Sequence, residues 1–151
     1  MSRSWVIALI LASLAGALMP LQGAANSWLA RRTGLALATF WVHATGMVIV
    51  SLVLLFLPST RGSGSWRELL HAPLPALLGG LLGVGITWLV AASVPALGMV
   101  AATTGILVAQ IATAMLLDHF GLLGLDRISF SWTRGLGALL LAIGAWLLLR
   151  R

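Results

Sequence analysis

From Pro95 to Leu117 the chain reads PALGMVAATTGILVAQIATAMLL, with no charged residue and a single amide, Gln110. As a helix rising about 1.5 Å per residue, such a stretch crosses the roughly 30 Å hydrocarbon core of a bilayer. Wound at 3.6 residues per turn, it sorts into three faces. Gly98, Ala102, Gly105, Ala109 and Ala112 form a small-residue stripe of the kind that lets another helix backbone approach closely. Leu97, Val100, Val108, Ile111 and Met115 form a bulky apolar face suited to acyl chains. Thr103 and Gln110, with Thr113 and Ala114 more loosely, form a polar third face. An amide about 10 Å inside the apolar boundary needs partners from a neighbouring helix or an aqueous cavity, so Gln110 marks an interior.

Composition extends this reading to the whole chain. Its 151 residues are 60% hydrophobic and 8% charged, with a mean hydropathy of +1.07, well outside the range of soluble domains. The expected fold class is an all-α integral membrane protein of five transmembrane helices, with spans at about 5–28, 35–57, 75–94, 95–117 and 132–149, in one transmembrane domain covering 1–151. With no cysteine, disulfides and thiolate chemistry are excluded. The net charge of +6 comes from nine arginines against Glu68, Asp118 and Asp126. Basic excess in a soluble protein suggests nucleic acid, but these arginines sit at span ends where lipid headgroups lie, so lipid and no nucleic acid is the expected partner.

The first span is bracketed by Trp5 and Trp28, at the positions where indole rings anchor at the interfaces. Its apolar run is longer than the roughly 7–15 residues of a signal-peptide core, and further spans follow, so it reads as a span rather than a cleaved leader. Pro20 is expected to kink it. Gln22 and Asn26 lie one turn apart on a face with Ala8, Ala15 and Met19, either lining a cavity or bonding helices together. In the second span His43 falls about 4–5 Å from the middle by helical rise, with Thr39 and Gly46 beside it. It is a candidate proton acceptor or solute ligand, or a neutral histidine bonded to a nearby hydroxyl or carbonyl. Residues 58–73, PSTRGSGSWRELLHAP, read as an exposed connection.

The third span carries Gly79, Gly80, Gly83 and Gly85, with a small-xxx-small pair at 79 and 83. Trp88 lies well inside it, lining a cavity or filling a gap between helices. Ser93-Val94-Pro95 is expected to turn the chain into the fourth span. Asp118 to Ser131 reads as a loop folded back against the membrane surface, and Gly137 and Gly144 mark a short fifth span ended by Arg150 and Arg151. No nucleotide loop, metalloprotease motif or intramembrane carboxylate pair is present, so no enzyme activity, cofactor or metal site is expected; Asp118-His119 alone is weak evidence for a metal.

Pro95-Ala96-Leu97-Gly98, Ala109-Gln110, Asp118-His119-Phe120-Gly121 and Arg134-Gly135, with Pro20-Leu21-Gln22 and Asn26 in the first span, resemble the YdcZ-like family of the drug/metabolite transporter superfamily. Their order and spacing cover nearly the whole chain. The resemblance implies a small bacterial inner-membrane protein of five helices that assembles as an antiparallel pair. Two positions depart from the family pattern: Ala109 stands where a glycine usually precedes the glutamine, and no proline follows Gly34. The related small multidrug transporters carry a glutamate in their first helix; this first span has no acid, which disfavours cationic drug export by that mechanism.

The functional expectation is a secondary transporter or facilitator for a small polar or amphipathic organic solute, working by alternating access. Gln22, Asn26, His43, Trp88, Thr103 and Gln110 are the candidate solute-binding residues, and His43 and Asp118 the candidates for proton coupling. Gly79, Gly83, Gly98, Ala102 and Gly105 are the candidates for helix packing. The different-class alternative is a non-transporting subunit whose glycine faces and amides serve only to assemble with another membrane protein. Orientation follows the balance of basic residues in short loops. Five spans put Arg3, Arg61, Arg67, Arg127 and Arg134 on one side and Arg31, Arg32, Arg150 and Arg151 on the other, a bias of one charge. So small a bias predicts insertion in both directions and an antiparallel homodimer, with a separate paired homologue as the other possible partner.

Overall fold

A computed structural model describes residues 3–57, 71–72 and 77–150. The expected start of the third span at Pro75 and the hydrophilic connection with Arg61, Arg67 and Glu68 lie outside the described residues. Among the described residues five helices are long and apolar enough to cross a membrane: α1 (Arg3–Thr33), α2 (Leu35–Phe56), α3 (Gly79–Leu97), α4 (Met99–Phe120) and α5 (Trp132–Leu149). The chain forms two compact units, Met1–Pro95 and Ala96–Arg151. The first holds α1, α2 and nearly all of α3; the second holds α4, α5 and their connection.

α1 runs unbroken through Pro20. At roughly 46 Å it is longer than a bilayer core is thick, and its last turn carries Arg31 and Arg32. The guanidinium of Arg32 lies 4.2 Å from the ring centre of Trp28, and that of Arg150 lies 3.9 Å from the ring of Trp146 at the end of α5. In both helices the indole sits one turn before the arginine. The cation therefore stacks on a ring and also meets the negative end of the helix dipole.

Single glycines break the helices. Gly34, between α1 and α2, has φ 88° and ψ 153°; Gly98, between α3 and α4, has φ 80° and ψ 164°. This region is essentially reserved for glycine, because an L side chain there collides with its own backbone. The turn between the third and fourth spans thus lies at Gly98 and not at Ser93-Val94-Pro95. Pro95 is inside α3, so Leu97 belongs to α3 and Gly98 to the break. Neither is part of the faces of α4, and Gly98 serves the turn rather than helix packing.

Packing within each unit inverts the pattern of a soluble protein. The buried apolar side chains among the described residues are Ala38, Ala91, Ala102 and Ala145, whereas leucines, isoleucines and most tryptophans turn outward. In lipid, burying a leucine gains little, and close contact between helices comes from small residues. In the first unit, Gly23 of α1 faces Val90 of α3 so tightly that a Cβ would lie 3.0 Å from its Cγ1. Asn26 and Ser27, on the same inward face, are buried with Ala38 and Thr39 of α2.

In the second unit α4 and α5 pack side by side. Ala102 and Thr104 are buried, but a Cβ at Gly105 would meet nothing within 4 Å. Val108, Ile111 and Met115, expected to face acyl chains, instead line an apolar cavity of about 720 Å³ with Ala138, Leu141 and Ala142 of α5. The end of the helix continues this stripe. Asp118 falls on the same stripe as Met115, Ile111 and Val108, at spacings of three and four residues, and its Oδ2 pairs with Arg134 Nη1 at 3.4 Å. The backbone carbonyl of Asp118 accepts from Ile128 N–H at 2.8 Å, and that of His119 accepts from Arg127 Nε–H at 3.0 Å. The connection folds back on the end of α4, with the Asp118 stripe toward α5.

Candidate functional site

The polar chemistry of the first unit converges on the second turn of α2. Hydroxyls in apolar helices commonly bond back to a carbonyl one turn earlier, and Thr33, Thr45 and Thr104 do so at 2.9, 2.9 and 2.8 Å. Thr39 does not. It is 6% exposed, and its Oγ1 is buried without a hydrogen-bond partner. Its carbonyl is engaged, accepting a hydrogen bond from His43 Nδ1 at 2.9 Å. A carbonyl only accepts, so Nδ1 carries a hydrogen, and the neutral ring then presents its lone pair at Nε2. That nitrogen faces α3 at Gly83, where a Cβ would lie 3.6 Å from it.

Thr39 and His43 line a cavity of about 500 Å³ with Ala36, Phe40, Ala44 and Met47 of α2 and Val84 and Trp88 of α3. Its volume is within the range of small-molecule sites, and its lining is the usual mixture of many apolar groups and few polar ones. Trp88 is 40% exposed, so its ring is open to contact. Among the described residues no charged side chain lines the cavity. It can therefore hold an organic molecule by ring contact and one or two hydrogen bonds, but it offers no counter-ion.

Of the sequence candidates, His43 and Trp88 come together here. Asn26 is buried on the inward face of α1 without lining the cavity, and Gln22 is exposed. Thr103 and Gln110 belong to the second unit. Thr103 is half-buried and its hydroxyl lies 3.6 Å from Met99 Sδ; Gln110 is exposed on α4. Gly83 borders the site, whereas Gly79 meets nothing within 4 Å. Asp118 is partly exposed in its pair with Arg134. Its position there is electrostatic: an acid at the C-terminal end of α4 and a base in the first turn of α5 each oppose the local helix dipole, and pairing offsets both.

Residues 7–147 match the family described as "Putative inner membrane exporter, YdcZ". The chain belongs to that family. No curated protein and no solved structure matches it. Family membership over nearly the full length, together with five membrane-length helices, makes this a multi-pass inner-membrane protein with a transporter-like role. Sequence reasoning did not single out the unpartnered Thr39 hydroxyl. The only hint was its position one turn before His43, where a shared carbonyl becomes possible.

Proposed function

We propose that this family member is a secondary transporter or facilitator that moves a small polar or amphipathic organic solute by alternating access as an antiparallel dimer. The observation that supports it most is the 500 Å³ cavity that brings His43, Thr39 and Trp88 together between apolar helices. A non-transporting assembly subunit has no use for an open volume of that size beside an unpartnered hydroxyl, because helix contacts alone favour filled space. In this reading Trp88 contacts the solute, and His43 hydrogen-bonds it and is the residue through which a proton couples. An odd number of spans lets two oppositely inserted copies build an inverted repeat.

A thermal-shift screen of the purified protein against a metabolite library, followed by flux of each hit in proteoliposomes, tests the proposal. Hits are expected to move across the membrane and to lose their shift in Trp88→Ala and Gly83→Leu, the second of which fills the cavity. Hits that bind but never cross, or that ignore both substitutions, would refute it.

A further inference from the structure

We infer that the α2–α3 cavity takes an uncharged aromatic hydrogen-bond donor, a phenol- or indole-class molecule, in preference to an organic cation or a carboxylate. The inference rests on the reading of this cavity as the solute site and goes further by assigning its chemistry. The bond from His43 Nδ1 to the Thr39 carbonyl leaves Nε2 as an acceptor, and among the described residues nothing donates to it. Gly83 leaves that nitrogen uncovered: a single added methyl would rest on it at 3.6 Å, in ordinary contact. A bound O–H or N–H group therefore finds a lone pair aimed at α3.

Charge separates the candidate solutes. The described charged residues of the first unit are Arg3, Arg31 and Arg32, all in the terminal turns of α1, and none lines the cavity. A cation placed among Phe40, Met47, Val84 and Trp88 would lose its hydration with only a ring face in return. A carboxylate would bring its lone pairs against that of Nε2. A neutral donor suffers neither loss, and a flat aromatic body matches the exposed ring of Trp88.

The test uses the full-length protein in nanodiscs, with empty nanodiscs correcting for partition into lipid, and equilibrium dialysis of indole, N-methylindole, benzyltrimethylammonium and benzoate. Indole is expected to bind about tenfold more tightly than N-methylindole, the difference made by one hydrogen bond. His43→Leu should erase that ratio by weakening indole alone. Gly83→Ala, which covers Nε2 without a clash, should do the same and serves where His43→Leu fails to fold. Equal binding of indole and N-methylindole to the unaltered protein would overturn the donor assignment. Tighter binding of benzyltrimethylammonium or benzoate, lost in Trp88→Ala, would overturn the uncharged class while keeping the cavity as the solute site. Binding of none of the four probes would overturn the inference and the site reading together.

Discussion

Replacing Gly34 by alanine isolates the energetics of the helix breaks. A Cβ at Gly34 or Gly98 meets nothing within 4 Å, so neither substitution creates a clash with another residue. What remains is the backbone: φ of 88° and 80° with ψ near the extended range places both in a region that costs an L residue on the order of 1–3 kcal/mol. Gly16 and Gly46 are the controls, because they also face open space but lie inside α1 and α2 with helical backbone. There alanine should stabilise by about 0.5–1 kcal/mol through the lower conformational freedom of the unfolded chain. That gain is common to every Gly→Ala change and cancels, so the contrast between the two classes is about 1–3 kcal/mol, and the strain terms of Gly34→Ala and Gly98→Ala should add in the double variant, since they share no partner. Reversible unfolding in mixed micelles with increasing SDS reads the five variants and the unaltered protein on one scale. If Gly34→Ala and Gly16→Ala shift the midpoint alike, the breaks do not depend on left-handed backbone and the reasoning fails.

Three further outcomes follow from the second unit and from the charge pattern. Asp118→Asn and Arg134→Gln should each cost less than about 1 kcal/mol in the same unfolding assay, and no more in combination, because the pair is partly exposed; a loss above about 2 kcal/mol for either would show a buried role. A Cβ on Gly135 would come within 2.6 Å of Phe130 Cζ, the far end of a side chain that can swing aside. Gly135→Ala should then destabilise only while Phe130 is present, and a Gly135→Ala, Phe130→Ala double variant no less stable than Phe130→Ala alone is the expected result. With a bias of a single arginine, reporters fused after Arg151 should show the C-terminus on both sides of the membrane, and two arginines added to one side should abolish one of the signals; a C-terminus on one side alone would end the dual-insertion proposal.

The number of spans, their membrane character and the positions of two described connections, those after α1 and after α4, were legible in the sequence, because apolar length and charge placement are local properties that lipid reads directly. Leu35–Phe56 and Trp132–Leu149 agree with the spans expected at 35–57 and 132–149 to within a residue. The turn assigned to Pro95 was misplaced for a local reason as well: the helix runs through Pro95 to Leu97 and breaks at Gly98, whose positive φ is open to glycine.

What the sequence left undecided is which face meets which neighbour. Period 3.6 divides α4 into stripes but does not name their partners, and bulky side chains suit acyl chains and a neighbouring helix equally well in a medium as apolar as leucine itself. In the tertiary structure the Val108, Ile111 and Met115 stripe faces α5, and Asp118 on that stripe pairs with Arg134, sixteen residues away across a folded connection. Tertiary structure likewise joined His43 of α2 to Gly83 and Trp88 of α3. The residue types that make the cavity were visible in the chain, but their meeting depends on helix packing across a long connection, and helical periodicity carries no information about that contact.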